Sequence, residues 1–165
     1  MAAFNIVTYK NGGYQSITPI TFKVAAGATT INPGEPVVAS GLGASQTVAA
    51  AATGTPVVGT DYFVGIASSK STQTASVAGT VEVLPLISGQ EYLISPTTAA
   101  NFDTQAEYDA RVGRRVLFGL SGGVYTIGDT DNSANGLVIV WRDITDPAAT
   151  GKVAFTVRNG ASVFA

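Results

Sequence analysis

The stretch Lys152-Val153-Ala154-Phe155-Thr156-Val157-Arg158 puts Val153, Phe155 and Val157 on one side and Lys152, Thr156 and Arg158 on the other. Successive side chains of an extended chain point to opposite faces, so this alternation reads as a half-buried β-strand. Tyr62 to Ala67 and Leu137 to Trp141 are instead apolar at consecutive positions, the pattern of strands covered on both faces. Burying each large aliphatic in them contributes about 1.5–3 kcal/mol.

Turn residues separate these strand-sized segments. Asn11-Gly12-Gly13, Asn32-Pro33-Gly34, Ser88-Gly89, Ser121-Gly122-Gly123 and Asn159-Gly160 all carry strong turn signals. Gly59 to Ala67 and Gly79 to Leu86 are each a turn followed by a strand. The expected fold is all-β, a compact β-barrel or β-sandwich, with residues 20–165 as a single β-rich domain. Pro19 sets off residues 1–19 as an extended N-terminal arm. Such an arm reaches roughly 60 Å at ~3.3 Å per residue, enough to cross onto a neighbouring subunit.

One helix interrupts the β pattern, at about residues 104–112. Thr104-Gln105-Ala106-Glu107 is a capping box, in which the Thr hydroxyl accepts from the third amide and Glu107 reaches back. Glu107 and Arg111 stand four apart in the favourable order, and Gly113 supplies a left-handed stop. So short a helix needs tertiary packing, and its expected place is capping or plugging a barrel. Two stretches carry weaker patterns. Ala44 to Gly59 reads as either a helix start or a weak strand, and Ser68 to Ala78 as an exposed connection with the composition of a mobile one.

Composition narrows the function. The 165 residues include no His and no Cys, and only 12% are charged, about half the ~25% usual for soluble domains. Without His there is no Ser-His-Asp triad and no imidazole shuttle; without Cys there is no disulfide, zinc–thiolate site or thiol catalysis. A net charge of −2 and scattered cations argue against a nucleic-acid partner. The apolar run Leu137 to Trp141 is far too short for a membrane span. Met1 to Lys10 shows no basic segment followed by an apolar stretch, so synthesis and folding in a cytoplasm are expected. So few charges suit either a surface partly hidden in a partner or a monomer solvated by Ser, Thr, Asn and Gln.

The remaining candidates for chemistry are thin. Lys70 among Ser68, Ser69 and Ser71 allows a Ser-Lys dyad on paper, against the ordinary reading of a solvated loop. A carboxylate pair for glycoside hydrolysis depends on geometry that no sequence shows. Asp129, Asp131 and Ser133 follow the spacing of a calcium loop, but Ala134 stands where its glycine belongs and no closing Glu follows. A strand-linking turn explains the same residues. The expectation is no catalytic residue, no metal and no cofactor. Trp141 ends an apolar strand and reads as a core anchor with its indole N–H near the rim, or alternatively as an interface hot spot. Arg114 and Arg115 read as surface or inter-subunit partners of nearby acids.

The order of segments resembles the capsid decoration (head cement) proteins of tailed bacteriophages. Pro33-Gly34-Glu35-Pro36-Val37-Val38, Tyr62-Phe63-Val64-Gly65-Ile66-Ala67 and Ala78-Gly79-Thr80-Val81-Glu82-Val83 carry the resemblance. So do Thr104 to Leu117, Gly136 to Val140 and the strand at Val153 to Val157. It spans about residues 33–158. The resemblance implies a compact β-barrel or β-sandwich without enzymatic activity, bound to the outside of a virion shell. It implies the major capsid protein as partner and a homo-oligomer, often a trimer. The alternative is a head-fibre base, or a tail-surface adhesin or glycan-binding β domain. Partner-binding candidates are Phe4, Ile6, Val7, Tyr9 and Tyr14 on the arm, where apolar alternation suits strand addition to a neighbour's sheet, and Val163 and Phe164 as an exposed apolar end.

Overall fold

A computed structural model describes residues 18–40, 47–52, 54–86, 89–121, 124–146 and 151–163. The first half of the chain forms strands Ile20–Val24 (β1), Pro36–Ser40 (β2), Val48–Ala50 (β3), Asp61–Ala67 (β4) and Gly79–Pro85 (β5). Tyr92–Ile94 (β6), the helix Gln105–Asp109 (α1), Arg115–Val116 (β7), Phe118–Ser121 (β8), Val124–Ile127 (β9), Leu137–Ile139 (β10) and Val153–Val157 (β11) follow. The strands make three antiparallel sheets, in the orders β1-β5-β4-β2-β3, β6-β11-β10-β7 and β8-β9. The architecture is sandwich-like; among the described residues no sheet closes into a barrel.

Two apolar clusters hold the layers together. The larger lies between the five-stranded sheet and the other two, and includes Val38, Phe63 and Ile66 with Tyr92, Phe118, Ile139 and Phe155. The five-stranded sheet curls until its edges β1 and β3 approach, and its inner side holds the second cluster, with Val24, Val37, Val48, Val64 and Val83. This explains the unbroken apolar run of β4. Phe63 and Ile66 face the larger cluster while Val64 and Ala67 face the smaller.

Strict alternation would put Phe63 and Ile66 on opposite faces, so the strand has to be re-phased. A bulge does this. Val37 pairs with Gly65 and Val38 with Phe63, leaving Val64 as the extra residue on β4. β11 follows its sequence pattern, with Val153, Phe155 and Val157 in the larger cluster and Thr156 half-exposed.

The helix is shorter than the 104–112 expected. Ala110 N–H still donates to Ala106 O, but Arg111 donates to Tyr108 O, Val112 to Asp109 O and Arg114 to Arg111 O. The bonds tighten from four residues to three after Asp109, and Gly113, at φ 83°, ends the turn. Glu107 reaches back as expected, accepting from the Thr104 hydroxyl at 2.9 Å while its own N–H donates to that oxygen at 3.3 Å. Arg111, however, carries its ion pair to Asp129 rather than to Glu107.

Of the weakly patterned stretches, Val48–Ala50 resolves as a short strand on β2. The Ser68–Ala78 connection is exposed along much of its length but strapped down. Ser71 Oγ accepts from Ile31 N–H at 2.9 Å, and Gln73 Nε2 donates to Ala28 O and Thr29 O. Beyond β11 the chain turns at Asn159-Gly160 and returns to the five-stranded sheet. Phe63 N–H donates to Ala161 O at 2.7 Å and Val163 N–H to Phe63 O at 3.1 Å. Val163, expected at an exposed end, is therefore half-buried against the second cluster. Phe4, Ile6, Val7, Tyr9, Tyr14 and Phe164 lie outside the described residues.

Candidate functional site: an exposed tryptophan on a splinted sheet end

Trp141 is not the core anchor expected from its place after an apolar run. It is 59% exposed, and the reason lies in how β10 ends. Val140 N–H donates to Ala154 O, one bond of an antiparallel pair. The reciprocal bond, from Ala154 N–H to Val140 O, is replaced by the Tyr108 hydroxyl. That hydroxyl accepts from Ala154 N–H at 2.7 Å and donates to Val140 O at 3.1 Å. The helix thus splints the ladder where the strands part, and the chain beyond Val140 leaves the sheet with Trp141 facing solvent.

The segment that follows is fixed against the same helix. Gln105 Nε2 donates to Arg142 O at 2.9 Å, and its Oε1 accepts from Ile144 N–H at 3.1 Å. Arg142 pairs with Asp146 four residues on. Val112, 39% exposed, leads into Gly113, whose N–H donates to Ile139 O. Both side chains belong to the same end of the four-stranded sheet. An aromatic held outward on a rigid support contributes large contact area with little ordering cost on binding.

Beside this edge, the β9–β10 link is organised by arginines. Asp129 accepts from Asn101 Nδ2 and from Arg111 Nε at 3.4 Å, and Arg114 donates to its backbone carbonyl. Asp131 takes a two-pronged contact from Arg115, at 3.0 Å from Nε and 3.0 Å from Nη2, with Arg115 N–H at 2.8 Å. These bonds hold the Asp131 carboxyl down at about 2. The reading as a partner of a nearby acid holds for Arg115 within the chain itself, whereas the Arg114 guanidinium is hydrogen-bonded to a backbone carbonyl. The calcium-like spacing is occupied by a turn in which Ala134 N–H donates to Asn132 Oδ1 and the acids face guanidinium groups. Among the described residues no three acidic side chains gather as metal ligands do.

Two of the serines around Lys70 are engaged by backbone amides. Ser71 Oγ serves Ile31 N–H, as above, and Ser69 Oγ accepts from Glu82 N–H at 3.0 Å. A cleft of about 410 Å³ opens on the other side of the β9–β10 link, lined by Thr97, Thr98, Gly119, Asp129, Thr130 and Asn132 among others. Thr97, on its lining, meets the Thr126 hydroxyl at 2.8 Å. No helix among the described residues is long and apolar enough to cross a membrane. Compared with family models, curated proteins and solved structures, the chain matches none.

The apolar run before Trp141 points to burial because nothing within it shows where β10 stops. The one available signal was Tyr108, a hydroxyl-bearing aromatic on the buried face of a short helix, which needs a polar partner in the core.

Proposed function

We propose that this protein is a structural virion component that binds the outer surface of a phage capsid and cements it by bridging capsid subunits. The resemblance in segment order and the sandwich-like fold support the capsid assignment. The observation that carries the binding role is Trp141, exposed on a segment whose backbone α1 holds at Val140 and Arg142, with Val112 on the same sheet end. A protein that binds only the assembled lattice stabilises it by mass action. The gain is about 2.7 kcal/mol per site when free protein stands 100-fold above its dissociation constant, repeated at every site on the shell. The N-terminal arm adds a second contact by pairing with a neighbour's sheet edge.

Electron microscopy of particles with and without the protein tests this reading. Regular density outside the shell supports it, and density at the tail alone overturns it. In co-sedimentation with capsids, Trp141→Ala is expected to weaken attachment about 30-fold, the effect of a hot spot worth about 2 kcal/mol. Its melting temperature should stay near wild type, because an exposed side chain carries little of the core. Deleting residues 1–19 is expected to lower shell occupancy while the body, whose first strand begins at Ile20, keeps its far-UV dichroism. The second reading, a tail-surface glycan-binding domain, draws on the cleft beside Asp129, whose lining includes Thr97, Thr98 and Asn132. Saturable binding of cell-wall or capsular sugars, lost on filling that cleft, would favour it.

A further inference from the structure

Asn159-Gly160 and Asn135-Gly136 are the same dipeptide in opposite settings. Asn135 is buried, and its Nδ2 donates to Arg115 O at 2.9 Å and Thr130 O at 3.3 Å. The next amide, Gly136 N–H, donates to Pro56 O at 2.9 Å, and the glycine is shut in closely enough that a Cβ would stand 2.7 Å from that oxygen. Asn159 and Gly160 are both exposed at the tip of the turn closed by Ala161 N–H on Arg158 O at 3.0 Å. Gly160 has no side chain to shield its nitrogen, and its φ of 83° is the conformation this turn asks of a glycine.

We propose that Asn159 is a site of spontaneous deamidation, and that the reaction slackens the strap between the two halves of the fold. The Gly160 amide nitrogen, losing its proton to base, attacks Asn159 Cγ. The new N–Cγ bond forms, the Cγ–Nδ2 bond breaks, and ammonia leaves a five-membered imide. Water then opens the imide at either carbonyl, giving aspartate or isoaspartate, with no oxidant or reductant consumed. The isoaspartate route adds one methylene to the main chain at residue 159. That residue lies between β11, paired in the four-stranded sheet, and Ala161–Val163, paired with Phe63 of the five-stranded sheet. Ala161 and Ser162 are buried there, and Ser162 Oγ donates to Leu86 O at 3.2 Å. A longer link at the turn relaxes the register these contacts depend on. Both products add a negative charge beside Arg158, which donates to Ser133 O and Asn135 O.

The test ages the full-length protein in mildly alkaline buffer, follows new acidic isoforms by ion exchange, and locates isoaspartate by enzymatic methylation and peptide mapping. Product at 159 is expected to form at least about tenfold faster than at 135, the ratio a barrier difference of about 1.4 kcal/mol gives. Peptide mapping separates any product from Asn11-Gly12. Equal rates at 159 and 135, or product at 135 first, would overturn the assignment. The isolated 159 isoaspartate form should release C-terminal residues to carboxypeptidase faster than either fresh protein or Asn159→Asp, which has the charge without the added methylene. Equal protection in all three would overturn the slackened strap.

Discussion

Gly65→Ala is expected to cost about 4 kcal/mol or more and to lower the melting temperature by roughly 10 °C, at 2–4 °C per kcal/mol for a chain of this size. An added Cβ would stand 2.0 Å from Leu84 O and 2.8 Å from Val83 Cγ1, in a backbone conformation (φ 157°) that side chains rarely adopt. The obstacle is the carbonyl of the paired strand, which cannot rotate away without breaking the β4–β5 ladder. Gly65 also sits in the bulge that re-phases β4 between two clusters, so moving it misplaces Val64 and Ile66 together. Gly113→Ala provides the comparison. It shares a positive φ (83°) but has nothing within 4 Å of the added Cβ, so its cost should stop at the about 1–2 kcal/mol of left-handed backbone. Similar losses in thermal unfolding of the two variants would show that conformation, and not the close approach, is what Gly65 serves.

Tyr108→Phe should lower stability by about 1–3 kcal/mol although only one oxygen is removed, because it orphans the buried Ala154 N–H and frees Val140 O. Tyr108→Ala adds a core cavity and should cost about 3–5 kcal/mol. The same hydroxyl predicts an alkaline limit. Burial pushes Tyr108 up to about 12, and burial likewise raises Tyr125, whose hydroxyl donates to Ala51 O, to about 12. A phenol whose value is raised by folding contributes stability that is complete below its unfolded value near 10 and is lost as the pH climbs to about 12. Denaturant midpoints should therefore hold up to about pH 10 and fall between 10 and 12, with a shallower fall in Tyr108→Phe. An unchanged slope in that variant would remove Tyr108 from the alkaline transition.

Local pattern made some of this structure legible. The alternation in β11, the double-sided run in β4, the Thr104 cap and the Gly113 stop all depend on neighbours within a few residues. What the sequence hid depends on pairing across long separations. α1 stops short of 112 because its bonds tighten after Asp109, and Arg111 takes its ion pair to Asp129, eighteen positions on. Trp141 looked buried because nothing local reveals that a helical tyrosine replaces a ladder bond beside it. Ser68–Ala78 looked loose because its anchors, Ile31, Ala28 and Thr29, lie about forty residues earlier. The candidate site is thus the part least visible in advance, since exposure at a sheet end is decided by how the sheet stops.

The sharing of β4 between two clusters has a further consequence. The two halves share β4 as a common wall, so loosening either one exposes apolar surface belonging to the other. Partial opening should therefore be penalised on both sides of β4, leaving few states populated between folded and unfolded. Unfolding is expected to be more cooperative than the short strands suggest, with the slowest-opening amides along β4, where both halves meet.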